Sequence, residues 1–270
     1  VIWADGAVVA EDALVFAAND RGATLGDGLF ETLKAVEGRP VFLSDHLERM
    51  AASSALLDLP FDEAAARAGV AAVLEGRAGL ASVRITLSRG PGPRGTAPIP
   101  RAEQRPVLVV ASAPMAASPG GPIRLALAAT RRNEWSLASR MKTLSYQDMI
   151  LARAEAARAG ADDALVLNTA GRPVCTTIGN LWLRTREGFA TPPVGEGVLP
   201  GIVRSRLLAA APSAGIEVEV RPLLMEEVES GTLFRTNSLT GVQPAGLSLP
   251  PSSDNPLGRL YDVLEREALS

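Results

Sequence analysis

Apolar runs in this chain are of strand length, and glycine, proline or polar turn residues cut them off before they grow. None approaches the roughly 18 to 20 residues that a membrane-spanning helix requires, so the chain has to bury many short elements against one another. Leu29 to Val36 alternates as a strand, and Glu37-Gly38-Arg39-Pro40 is turn chemistry that returns a hairpin towards Val41-Phe42. Ala13 to Ala17 also reads as a strand. Ser44 offers an N-cap, after which Leu47, Met50, Ala51, Ser54 and Leu57 recur at helical spacing up to Pro60. A second helix is expected over Asp62 to Glu75, followed by a strand over Ser82 to Ser88. Pro91, Pro93, Pro98 and Pro100 forbid regular structure between Gly90 and Pro100. Strands over Pro106 to Ser112 and Ile123 to Ala129 are expected to close a first lobe.

The texture changes from about residue 130. An amphipathic helix over Tyr146 to Ala159 ends at Gly160, and Ala164 to Leu167 is a buried strand that Asn168-Thr169-Ala170-Gly171 turns back through Val174. A helix over Gly201 to Ala211, a strand over Ile216 to Val220, an extended segment over Thr232 to Ser238, a strand near Gly241 to Leu247 and a final helix from about Asn255 complete the pattern. Hairpins alternating with helices in both halves predict an α+β fold of mixed sheets with flanking helices. The expected division is a small lobe over 1–115 and a larger lobe over 116–270.

Scarcity narrows the chemistry. Cys175 and His46 are the only residues of their kinds, so an internal disulfide and a Cys/His zinc cage are both excluded and no metal site is expected. A net charge of -3 supplies no basic field for phosphate backbones, which argues against nucleic acid. With no targeting pattern at the N-terminus and no membrane helix, the expected setting is cytoplasmic. Of the 27 basic residues only Lys34 and Lys142 are lysines. An amine nucleophile thus has two side-chain addresses. Lys142 lies in Ser139-Arg140-Met141-Lys142-Thr143-Leu144-Ser145-Tyr146, a stretch of small and apolar residues before a helix, where partial burial favours the neutral amine that attacks an aldehyde. On the residues alone it is equally a surface lysine whose stem lies along the protein. Lys34 alternates within a strand, where the solvated face is the simpler reading.

The stretch from Lys142 to Trp182 reads K-T-L-S-Y, L-A-R-A-E-A, A-D-D-A-L-V-L-N-T-A-G-R-P-V and N-L-W. It resembles the core signature of class IV pyridoxal-phosphate enzymes, a group that holds branched-chain aminotransferases, D-amino acid aminotransferases and aminodeoxychorismate lyases. Asp20-Arg21-Gly22, Gly26 to Thr32, His46-Leu47-Glu48-Arg49 and Gly197 to Arg204 resemble further blocks of that family, in order along the chain. The resemblance implies a two-lobed D-amino acid aminotransferase-like fold, pyridoxal 5'-phosphate as cofactor, a small-molecule amine as substrate and a homodimer. It also implies roles. Lys142 would hold the cofactor through its ε-amine and, once released by substrate, move protons at the reacting carbon. Arg49, the backbone N–H groups of Ile202 and Val203, Ser238 and the Leu239 backbone would hold the phosphate. On spacing alone Arg49 is also a helix-surface arginine, and Pro200-Gly201 a plain turn.

Two positions bear on the reaction. Where the family places a glutamate against the pyridine nitrogen, the count from Gly171 to Asn180 arrives at Cys175. A neutral thiol supports the ring as an electron sink less well than a carboxylate; a small filler on a strand is the other reading. The loop Gly90 to Pro100 resembles one that offers an arginine to a substrate carboxylate, which makes Arg94 the candidate, with a solvated loop arginine as the alternative. Phe234 to Pro244, with Asn237 inside it, and Phe30 in place of a tyrosine lean towards aminodeoxychorismate lyase, which converts 4-amino-4-deoxychorismate to 4-aminobenzoate and pyruvate in folate biosynthesis. Tyr146 leans towards a transaminase acting on D-amino acids, branched-chain amino acids or (R)-amines. A weakened homologue that only holds the cofactor is the reading from another class.

Overall fold

The computed structural model describes residues 1–117, 121–248 and 254–270. They form an α+β fold of two compact units. The first comprises Val1–Ala117 together with Lys142–Ser145 and Ala268–Ser270; the second takes the rest.

Unit one is built on strands β1 (Ile2–Ala4), β2 (Ala7–Val9), β3 (Gly28–Val36), β4 (Arg39–Pro40), β5 (Leu80–Ser88) and β6 (Val107–Pro114), with helices α1 (Arg21–Leu25), α2 (Leu43–Leu56) and α3 (Glu63–Leu74). The strands form one antiparallel sheet in the order β2-β1-β6-β5-β3-β4. Register sorts the residues into two faces. Leu29, Leu33, Val83, Ile85, Leu87 and Val110 share one buried face, whereas Phe30, Thr32, Lys34, Arg84 and Thr86 share the other; Lys34, expected on a solvated face, is buried there. Helix α3 closes down on the sheet at Gly69, where an added Cβ would press on the Trp3 ring and the Val110 side chain.

Two local expectations are corrected here. Ala13 to Ala17 forms no strand: none of the described strands pairs with it, and Leu14 is 99% exposed. Helix α2 starts before Ser44, with Phe42 at its N-cap in the left-handed region, because ladder pairing continues through Val41 N–H to Lys34 O and His46 N–H then closes the first turn on Phe42 O. Helix α3, expected from Asp62, is capped by that residue, whose carboxylate accepts from Ala65 N–H.

Unit two contains β7 (Ile123–Arg132), β8 (Asp163–Asn168), β9 (Pro173–Thr176), β10 (Asn180–Arg184), β11 (Gly188–Thr191), β12 (Glu217–Val220), β13 (Leu233–Asn237) and β14 (Gly241–Gly246). Helices α4 (Gln147–Arg158), α5 (Ile202–Ala210), α6 (Met225–Ser230) and most of α7 (Pro256–Leu269) flank them. The sheet runs β12-β11-β10-β13-β14-β7-β8-β9, and an extra β10–β9 pairing closes six of its strands into a barrel. Strand β7 therefore belongs to this second unit and does not close the first, because its partners are the parallel strands β14 and β8. Every residue of β8 and β9 is buried, which explains the apolar run from Ala164 to Leu167 and obliges Asp163, Asn168 and Thr176 to find partners inside the unit.

Candidate active site

The segment Lys142–Ser145 belongs to unit one although Met141 before it and Tyr146 after it belong to unit two. The tie is a short antiparallel bridge on β3. Phe30 N–H donates to Lys142 O at 2.8 Å, Leu144 N–H donates to Gly28 O at 2.9 Å, and Leu29 is bridged to Thr143. Gly28 makes this approach feasible, since a Cβ there would collide with the Leu87 carbonyl oxygen and the Leu144 side chain. The lysine is thus displayed from a strand-like segment rather than a loose loop. Its Nζ lies 4.1 Å from the centroid of the Phe30 ring, and the Arg84 guanidinium carbon lies 3.9 Å from the same centroid. The structure therefore brings Lys142 and Phe30 together and adds Arg84, which sequence reasoning missed. Strand alternation carried the signal, because Arg84 falls on the same face as Phe30.

Arg49, on α2, is half-buried and pairs side-on with Glu31. Nε donates to Oε1 at 2.8 Å and Nη2 to Oε2 at 2.6 Å. His46 Nδ1 lies 2.7 Å from the same Oε2. Burial alone pushes the Glu31 carboxyl up, but the Arg49 charge, with hydrogen bonds from His46 and Arg49, outweighs it and holds the group at about 2. Arg94 is exposed on its loop. That loop is pinned by Arg21, whose Nη1 donates to Gly95 O at 2.9 Å and to Ala97 O at 3.3 Å while its Nε binds Asp27 Oδ2 at 2.9 Å.

Unit two gathers a second set of residues around Asn180. This residue pairs with Cys175 on β9 and with Thr236 on β13, and its Nδ2 donates to Leu199 O at 2.9 Å. It thereby latches the Pro200-Gly201 turn from which α5 starts, and a Cβ on Gly201 would collide with Asn180 Oδ1. Helix α5 has Gly201 as its N-cap and no side-chain hydrogen bond there, which leaves the Ile202 and Val203 amides to the positive end of the helix dipole, suited to an anion. At the β13–β14 turn, Asn237 Oδ1 accepts from Leu239 N–H at 3.0 Å and Thr240 N–H at 2.9 Å. Asn237 is therefore a turn-capping residue here, and the Leu239 amide expected to meet a phosphate is already engaged by it. Ser238, next to them, is half-buried.

Cys175 is buried at the β9–β10 pairing. Burial pushes its thiol up; Arg132 draws it down and Asp163 adds to the rise, so the net shift is upward and the group stays a neutral thiol. Close to it lies a carboxylate that sequence reasoning passed over. Asp163, fully buried, binds Arg235 Nη1 at 2.9 Å and also accepts from the Thr177 hydroxyl. Burial pushes the Asp163 carboxyl up, and the hydrogen bonds from Thr177 and Arg235 turn the net shift downward.

A model of the amino-transferase class IV family matches residues 28–246. The chain belongs to the class IV aminotransferase family. Its similarity to an aminodeoxychorismate lyase of Vibrio harveyi is 29% identity over 256 residues, covering 91% of this chain and 93% of that one. A bifunctional aminodeoxychorismate lyase / D-amino acid transaminase of Mycobacterium tuberculosis is 26% identical over 264 residues, 89% of this chain and 88% of that one. Among solved structures, the 4-amino-4-deoxychorismate lyase of Pseudomonas aeruginosa superposes with a TM-score of 0.84 at 30% identity, over 99% of this chain and 98% of that one. A hypothetical aminotransferase of M. tuberculosis in a PLP-bound form gives 0.84 at 24% identity, over 98% and 99%, which speaks to the fold alone. As a class IV chain, this protein carries its family blocks on both units. Among the described residues no cluster of metal-ligating side chains occurs and no helix is long and apolar enough to cross a membrane.

Proposed function

We propose that the chain is a pyridoxal-phosphate-dependent lyase that converts 4-amino-4-deoxychorismate to 4-aminobenzoate and pyruvate. The observation that carries this reading is the Phe30 ring against Lys142 Nζ. An aromatic face without a phenol hydroxyl offers the amine no second acid or base at that contact. Proton movement at the reacting carbon then falls to Lys142, which a reaction driven by aromatisation of its product can use for both removal and return.

The residues present fit the cofactor. An α5 N-terminus without a side-chain cap, suited to a phosphate, and a lysine displayed from β3 are the features that such a group needs. Lys142 would hold the cofactor aldehyde, Arg49, the Ile202 and Val203 amides and Ser238 its phosphate, and Cys175 its ring nitrogen. When bound, the cofactor supplies an electron sink for the carbon that loses its proton. A neutral Cys175 makes that sink shallower than a carboxylate would, and formation of an aromatic product offsets the loss. Arg94 and Arg84 would meet the carboxylates of a dicarboxylate substrate.

Two measurements test this proposal. Borohydride reduction of the loaded enzyme should fix a pyridoxyl group on the peptide that contains Lys142, and 4-aminobenzoate should form from 4-amino-4-deoxychorismate; absence of the aromatic product refutes the lyase reading. One observation favours transamination instead: Tyr146 packs against the cluster that contains Cys175, placing a phenol in that neighbourhood. Accumulation of the pyridoxamine form with D-alanine or an (R)-amine supports that second reading. Four exposed apolar side chains between residues 135 and 151, namely Trp135, Leu137, Ile150 and Leu151, support a homodimer.

A further inference from the structure

Glu31 has no place in a purely apolar sheet face, yet the β3 register puts it there between Leu29 and Leu33, with 1% of its surface exposed. A carboxylate so placed must be paired, and replacement of such pairs by apolar residues is often neutral or stabilising. Stability alone therefore gives little reason for a charge at this position. Geometry gives a better one. The carboxylate takes Arg49 through Nε and Nη2, a side-on bidentate pairing that sets both the plane and the direction of the guanidinium. His46, one turn before Arg49 on α2, meets the same carboxylate through Nδ1. Its Nε2 is buried and has no hydrogen-bond partner among the described residues, so the hydrogen belongs on Nδ1 and the ring acts as a donor to Glu31. Exposure rises along the chain of contacts, with side-chain values of 0% at His46, 1% at Glu31 and 11% at Arg49. The buried end is fixed and the outer end is an arginine.

We infer that Glu31, backed by His46, is a positioning residue that aims Arg49 at the cofactor phosphate. The inference rests on the reading of Arg49 as a phosphate ligand. An arginine left to itself loses side-chain entropy when it orders on an anion, and a guanidinium already held in one orientation loses less. Glu31 thus acts on the affinity for the phosphate end of the cofactor and not on its aldehyde or ring.

The test compares pyridoxal 5'-phosphate with pyridoxal, which lacks the phosphate, as ligands of the cofactor-free protein, each titrated by absorbance of the bound form. Glu31→Gln should weaken the phosphorylated ligand about tenfold, in the range found when a supporting partner of a ligand-holding group is removed, and pyridoxal by less than about twofold. Added to Arg49→Ala, it should weaken the phosphorylated ligand no further. Equal weakening of both ligands, or of neither, by Glu31→Gln while Arg49→Ala abolishes the phosphate preference overturns the positioning role and leaves the Arg49 reading intact. A preference unchanged in Arg49→Ala overturns that reading, and the positioning role with it. Should Glu31→Gln not fold, His46→Gln gives the same readout: a partial loss of preference is expected, and an unchanged one overturns the proposal.

Discussion

Replacing Asp163 by alanine should be the most damaging single change in the second unit. The Asp163 carboxylate is fully buried at the start of β8 and binds Arg235 Nη1 at 2.9 Å. It also accepts from the Thr177 hydroxyl and from the amides of Ala164 at 2.8 Å and Thr177 at 3.3 Å. Arg235 is itself only 5% exposed, and apart from Asp163 its guanidinium meets Gln243. Asp163→Ala therefore leaves a buried cation with one neutral partner, a situation that costs about 3–5 kcal/mol. At about 2–4 °C per kcal/mol for a protein of this size class, the melting temperature should fall by about 6–20 °C. Urea unfolding and thermal melting of the variant measure this directly. The reasoning also predicts the sign of a coupling. Asp163→Leu combined with Arg235→Met removes both charges and should recover most of the loss, because two apolar side chains need no pairing in that layer. Asp163 also meets Arg153 Nη1 at 3.2 Å, but that arginine is 47% exposed and can turn to water; a single variant within about 1 kcal/mol of the wild type, with a double variant no more stable than the single, would refute the argument that Arg235 depends on this carboxylate.

Three further outcomes are expected. The Glu31 carboxyl stands at about 2 against 4.5 unperturbed, so its contribution of about 3 kcal/mol is complete above pH 4.5 and disappears as pH falls towards 2; unfolding free energy measured across that window should show this slope in the wild type and lack it in Glu31→Gln. Cys175→Glu should change both turnover and the absorbance spectrum of the bound cofactor, and if both stay the same, the residue does not face the ring nitrogen. Gly201→Ala drives a Cβ into Asn180 Oδ1 and should lower the melting temperature, with partial recovery in an Asn180→Ala background; equal loss in both backgrounds argues against the clash.

Much of the architecture was legible because its signals are local. The strand β3, the start of α3 at Asp62, the turn at Asn168 to Gly171 and the close of α4 at Gly160 each follow from residues within a few positions of one another. Lys142 stood out because lysine is so scarce in this chain. Glu31 and Asp163 were not legible as partners. Their partners lie far along the chain, Arg49 for the first and Arg235 for the second, and no spacing rule connects a strand carboxylate to an arginine on another element. Ala13 to Ala17 failed for the opposite reason: its alternation is genuine, but a strand exists only when a neighbour accepts its hydrogen bonds.

By itself the amino-acid sequence determined the α+β class, most of the elements and the residue types from which a cofactor site is drawn, since side-chain periodicity and turn chemistry act over short distances. Only the tertiary structure decided that Lys142 is carried on the edge of β3, that β7 joins the second sheet, that six strands close into a barrel through the β9–β10 pairing, and that Arg49 pairs with a buried Glu31 which His46 meets in turn. Those outcomes depend on which backbone groups find partners across long stretches of chain, and that choice is made by packing and by the need to pair every buried charge.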